Sequence, residues 1–174
     1  TIQTLGEYYY KVRSGLSADK TPEEYGAFPF DPYSHTPYKS GAKQPGMTGQ
    51  VKEEIITRMG ELGCFVEDGY LTFQPTLLRR SEFLAKEREF TYYNVSNEKS
   101  HIVLQKDELG YTYCQVPVIY HLSESEKDCS LIIHITDGKV KNIKGNKVSK
   151  SVSKSIFNRK GLIKKILVEI PIKN

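Results

Sequence analysis

The chain has 174 residues, 38% of them hydrophobic and 26% charged, with a formal net charge of +4. That length supports one domain or one and a half, with a core that needs no staple of disulfides or metal. The composition is globular, and the longest apolar runs fall far short of the ~20 residues of a bilayer-spanning helix.

In chain order, residues 1–16 place Ile2, Leu5, Tyr9, Val12 and Leu16 at spacings of three and four, which predicts an amphipathic helix ending near Gly15. The Thr21-Pro22-Glu23-Glu24 step reads as the start of a second, short helix. Residues 27–50 then hold Pro29, Pro32, Pro37 and Pro45, so neither a helix nor a central strand can run through them. A third helix is expected to begin at Thr48 or Gly49, with Val51, Ile55, Met59 and Leu62 on one stripe and Gly63 as its C-terminal cap.

After Gly63 the hydrophobic period changes from helical to two. Asp68-Gly69 between Phe65-Val66 and Leu71-Phe73 predicts a tight hairpin. Further strands are expected at 89–95, 101–105, 111–122 and 130–136, and later in VKNI, SIF and LIKKILVEI, with DELG, TDGK, KGNK and NRKG as turns. The segment ESEKD before Cys129 reads as an exposed loop. Pro117 marks its strand as an edge or a bulged one. In the last strand Ile166, Val168 and Ile170 share one face, with Lys165, Leu167 and Glu169 on the other. The fold class is therefore α+β. A short N-terminal helical segment, residues 1–63, precedes an antiparallel β-sandwich or jelly-roll-like domain at 64–174.

Charge is uneven along this layout. Residues 138–174 hold eleven Lys or Arg and one acid, Glu169; the other residues hold fourteen basic and twenty acidic side chains. The lysines alternate with strand-forming apolar residues, which reads as a solvated, edge-protecting face and not as a nucleic-acid site. Cys64, Cys114 and Cys129 are far apart, odd in number and without a CxxC. They read as free thiols, although a single bridge stays open.

The residues best placed for chemistry lie at the end of the proline-rich segment. A helix start exposes unpaired amides and the positive end of a dipole. Thr48 offers a hydroxyl there, and Gly46 and Gly49 allow close approach of a ligand to the backbone. Upstream, Asp31 and His35 supply a carboxylate and a donor among Phe28, Phe30, Tyr33 and Tyr38. Glycoside chemistry needs two acids across a scissile bond. Of Glu23, Glu24, Asp31, Glu53, Glu54 and Asp68, no two form such a pair by position. Nucleophile elbows, P-loops, dinucleotide fingerprints and HExxH are absent, so no cofactor and no metal is expected.

The run PGMTGQ, then a helix, then LGCFVEDGYLTFQPTLL resembles the C-terminal end of carbohydrate-active enzymes built on an (α/α)6 toroid, with the cellobiose-phosphorylase group and its relatives as the nearest analogy. Thr48-Gly49 matches a TG pair opening a late toroid helix. Leu62-Gly63 matches the end of that helix, and Asp68 through Pro75 matches the hairpin that follows. The likeness covers residues 44–78. It implies that the helical segment is the last part of a catalytic toroid and that the β-rich domain is accessory. It also implies that Thr48, Gly49, His35 and Gln44 contact substrate or phosphate, and that the general acid lies in an earlier part of the toroid. The polar QVKEE that follows the TG pair, and the length of the β-rich tail, depart from the family pattern.

Two functions follow as expectations, and a third is weighed against them. The first is the C-terminal part of an enzyme acting on glycosidic bonds by hydrolysis or phosphorolysis, with carbohydrate, phosphate and the N-terminal part of the same polypeptide as partners. The start at Thr1 reads as a piece of a longer chain. The second is a non-catalytic β-sandwich module that binds carbohydrate or a protein partner on a platform of tyrosines at 92–93 and 111–120. The third, a nucleic-acid binder using the basic end, and a membrane association are not expected. Compartment is left open by the sequence.

Overall fold

The computed structural model describes residues 2–13, 51–124 and 128–172. The chain divides into two compact units, Thr1–Arg58 and Met59–Asn174. In the first, helix α1 (Ile2–Arg13) carries Lys11 and Arg13 in its last turn, where cations complement the helix dipole. Its apolar residues Leu5, Tyr8 and Val12, spaced three and four apart, are each more than 60% exposed. The helix expected at Thr21 lies outside the described residues.

Helix α2 (Val51–Glu61) runs from the first unit into the second. Its expected start at Thr48 or Gly49 lies outside the described residues. On its stripe Ile55 is 56% exposed, Met59 packs on the core and Leu62, just past the helix, is buried. Gly63 ends it as expected. Its φ is +67°, and an added Cβ would lie 2.1 Å from the carbonyl of Gln74, so only glycine fits.

Strands β1 (Cys64–Glu67) and β2 (Tyr70–Phe73) pair antiparallel around Asp68 (φ 49°) and Gly69 (φ 78°), the hairpin expected from that dipeptide. On β2 Leu71 and Phe73 are fully buried, while Tyr70 and Thr72 face outward. A short 3₁₀ turn at Arg80–Glu82 follows. Then β3 (Arg88–Tyr93) and β4 (Lys99–Leu104) form a second hairpin.

The main sheet has five strands: β5 (Glu108–Tyr113), β6 (Val116–Ser123), β7 (Ser130–Ile135), β8 (Val140–Lys144) and β9 (Ile163–Pro171), in the order β5-β6-β9-β7-β8. All its pairs are antiparallel except β6 with β9. The strands do not close into a barrel, and the α+β layout holds as expected. One sheet face carries Val118 and Tyr120 of β6, Leu131 and Ile133 of β7, and Ile166 and Val168 of β9, all buried. Against it pack Leu62, the β1–β2 hairpin and a third helix, α3 (Lys150–Phe157).

Several elements differ from the sequence reading. SIF was expected as a strand but lies in α3. Val148, Val152 and Ile156 fall four apart and are buried, so the helical period wins over the β-branched composition. Segment 111–122 is not one strand. Cys114 (φ 48°) and Gln115 (φ 65°) form a two-residue turn between β5 and β6 without any glycine or asparagine. Of DELG only Asp107 (φ 63°) lies in the turn, and the strand begins at Glu108. Pro117 lies neither on an edge strand nor at a bulge. It opposes Thr112 and sits one residue before β9 begins to pair at Val118, so its missing N–H costs the sheet no bond. Edge strand β8 carries Lys141 and Lys144, the guard expected of the basic segment. The ESEKD loop lies largely outside the described residues. Among the described residues no helix is long and apolar enough to cross a membrane.

Candidate functional site

The residues singled out for substrate or anion binding, His35, Gln44, Thr48 and Gly49, lie outside the described residues, as do Glu23, Glu24 and Asp31. Glu53 and Glu54 fall on α2. Asp68 is the first residue of its hairpin turn, which accounts for it structurally. Three polar constellations lie in the second unit.

The first joins the end of α2 to the sheet. Tyr111 and Tyr120 sit two pairs apart on β5 and β6 and project to the core face. The Tyr111 hydroxyl donates to Tyr120 Oη at 2.9 Å, and Tyr120 Oη–H donates to the carbonyl of Leu62. Cys64 Sγ lies 2.8 Å from Tyr111 Oη. With Cys64 as donor, protons run in one direction from thiol to phenol to phenol to carbonyl, and each donor has one acceptor. The Leu62 carbonyl is one of the groups a helix end leaves without an intrahelical partner. Burial raises the pKa of all three side chains; the hydrogen bonds of Cys64 to the two tyrosines pull its own value the other way, less strongly. Thiol and phenols therefore stay protonated near neutral pH. The chain of hydroxyls serves as a structural tie.

This burial also removes Tyr111 and Tyr120 from any tyrosine platform, whereas Tyr93 on the β3–β4 hairpin is 58% exposed. The three cysteines are free and half-buried.

The second constellation lies on the other sheet face. His121 of β6 and Glu169 of β9 are register partners, and Nδ1 meets Oε2 at 2.7 Å. Such a carboxylate orients an imidazole. No hydroxyl or thiol of a described residue lies within hydrogen-bonding distance of its other nitrogen. Nearby, Cys129 is raised in pKa by burial and, secondarily, by the Glu169 charge. Among the described residues no group of three His, Cys, Asp or Glu side chains is placed to hold a metal.

The third is a cleft of about 330 Å³ between β5 and the β3–β4 hairpin, lined by Glu82, Leu84, Arg88, Phe90, Leu104 and Gly110 among others. The hairpin rests on the sheet here because Gly110 has no side chain. A Cβ at that position would come within 2.7 Å of Leu104 Cδ1. The two hairpin tips are tied by Gln115 Nε2, which donates to the carbonyl of Asn94 at 2.9 Å.

None of these constellations was visible in the sequence. In the first, Cys64 and Leu62 stand 47 and 58 residues from the tyrosines they meet, and in the second the two members stand 48 apart, so only strand register brings them together. Compared with known proteins, the chain matches no family model and no curated protein.

Proposed function

We propose that this chain is the C-terminal part of a toroidal carbohydrate-active enzyme that cleaves glycosidic bonds by hydrolysis or phosphorolysis. In this reading it contributes one wall of the substrate site and not the full catalytic set. The observation that carries the reading is the order of elements across residues 51–73. A helix stops at a glycine in the left-handed region, and a two-residue Asp-Gly hairpin follows at once, leading into a β-rich unit. That is the layout implied by the resemblance of residues 44–78. The exposed apolar residues of α1, and Ile55 and Ile56 of α2, support it further, because toroid helices bury such residues against neighbouring hairpins.

In this reading Thr48 and Gly49 offer backbone amides and a hydroxyl to a sugar oxygen or phosphate, His35 and Gln44 assist, and the general acid is supplied from elsewhere in the polypeptide. The Tyr120–Leu62 tie holds the residue that follows α2 on the sheet.

The test uses the complete polypeptide encoded by the gene, incubated with a panel of di- and oligosaccharides with and without inorganic phosphate. Cleavage that Thr48→Ala slows about tenfold or more supports the reading, since one lost hydrogen bond to a charged oxygen is worth about 1.5–3 kcal/mol. Phosphate dependence separates phosphorolysis from hydrolysis. A gene that encodes no array of helical hairpins, or a complete protein that leaves every glycosidic bond intact, overturns it.

A further inference from the structure

We infer that the free edge of β5 is a docking site for an extended strand of another polypeptide. The inference is independent of the carbohydrate reading and rests on the backbone. In the two-residue hairpin of β5 and β6, Tyr113–Val116, Tyr111–Val118 and Leu109–Tyr120 are the pairs that exchange backbone hydrogen bonds. Glu108, Gly110 and Thr112 therefore turn their N–H and C=O away from β6. The direction is visible at Glu108, whose carbonyl accepts the N–H of Leu84 at 2.9 Å from the far side. Beyond that point the outward groups of Gly110 and Thr112 meet no partner among the described residues.

The two edges of the sheet are treated differently. Edge strand β8 carries Lys141 and Lys144 and so resists pairing. Edge strand β5, ELGYTY, has no lysine, no proline and no bulge. Beside its open stretch lies the 330 Å³ cleft, where Leu84, Phe90, Leu104 and Leu109 supply an apolar wall and Glu82, Arg88 and Glu89 a charged one. Gly110 lets Leu104 lie against the strand, which brings that wall up to the free edge.

These features specify the occupant. Gly110 and Thr112 each present a donor and an acceptor, repeated about 6.8 Å apart along the strand. Another extended backbone is the partner that offers complementary groups at that period, and a side chain beside it would enter the cleft. This is strand addition to a sheet edge, with backbone bonds giving affinity and the cleft giving selectivity.

The test selects peptides from a random heptapeptide display library on the full chain, with Thr112→Pro as the counter-target. Thr112 N–H points away from β6, so proline there removes the outward donor and no sheet bond. Selected peptides are then made with single backbone N-methyl groups at each position in turn. The expected result is an alternating pattern. Methylation at every second residue weakens binding about tenfold or more, the value of one lost hydrogen bond, and the positions between tolerate it. Amide exchange at Gly110 and Thr112 slows on binding. The methylation series needs no variant, so it decides the matter even if Thr112→Pro does not fold. Binding without the alternating pattern overturns the inference, as does enrichment equal on both targets. So does protection of the Gly110 and Thr112 amides in the protein alone, or a dimer of the chain that Thr112→Pro abolishes, which would place a second copy on this edge.

Discussion

Replacing Gly63 by alanine should cost the second unit about 3–6 kcal/mol. Three contributions build this figure. An L-residue held at φ +67° pays about 1–2 kcal/mol for the left-handed region. The new Cβ would lie 2.1 Å from the Gln74 carbonyl carbon and 2.4 Å from Pro75 N. Neither is the end of a flexible side chain, so the exit of β2 must shift, a forced-overpacking cost of about 1–3 kcal/mol. That shift opens the hydrogen bond from Gln74 N–H to the Gly63 carbonyl, now 2.7 Å, worth about 1 kcal/mol net. Gly60 is the matched control. It lies inside α2 with nothing within 4 Å of an added Cβ, so Gly60→Ala should stabilise by about 0.5–1 kcal/mol through helix propensity. Urea unfolding read by circular dichroism and tyrosine fluorescence measures both. With a slope of about 2 kcal/mol per molar, Gly63→Ala should lower the midpoint by about 1.5–3 M, and Gly60→Ala should raise it slightly. A Gly63→Ala midpoint within about 0.5 M of the parent would refute the steric account, as would a larger loss for Gly60→Ala.

Tyr120→Phe should cost about 1–3 kcal/mol in the same assay, because it strands both the Leu62 carbonyl and the Tyr111 hydroxyl. Tyr111→Phe, which leaves the bond to Leu62 in place, should cost less. The same network sets an alkaline limit. Cys64, Tyr111 and Tyr120 all have folded pKa values above the ordinary 9.0 for a thiol and 10.0 for a phenol. Their contribution is full below pH 9 and is lost as pH rises beyond it, since the unfolded chain then releases protons that the fold retains. Midpoints from pH 7 to 11 should therefore fall above pH 9, and Tyr120→Phe should flatten that decline. His134 should titrate below 6.5 by NMR, since burial and then Lys165 and Lys164 disfavour its cation; Lys165→Gln should bring it back toward the ordinary value.

Local chemistry was readable wherever a short stretch fixes its own geometry. Asp68-Gly69 forms its turn because glycine and aspartate tolerate positive φ, and Gly63 caps α2 for the same reason. The alternation in β9 was readable too, because one face is core and the other is not. The turn at Cys114-Gln115 was hidden because neither residue advertises positive φ, and the surrounding tertiary pairing imposes it. α3 was hidden because three serines and β-branched residues mimic a strand. Ser153, fully buried, is instead anchored across the core by accepting the N–H of Leu71 at 3.0 Å. At the candidate site the sequence singled out His35, Gln44, Thr48 and Gly49, which lie outside the described residues. It could not supply the hydroxyl tie or the His121–Glu169 pair, whose members meet only through sheet order.

That order has a consequence for how the chain folds. Strand β9 lies at the centre of the five-stranded sheet, between β6 and β7, yet it follows every other strand in sequence. Until it arrives, β5–β6 and β7–β8 are two separate ribbons with unfilled inner edges, and isolated two-stranded ribbons are marginal in water. Assembly of the β unit therefore waits on its last-made strand and on contacts distant in sequence, which makes for slow folding. On the ribosome the half-built sheet would spend its longest interval with two open edges facing one another across the gap that β9 will fill. This is the interval in which a chaperone, or a wrongly chosen strand, has most access to it.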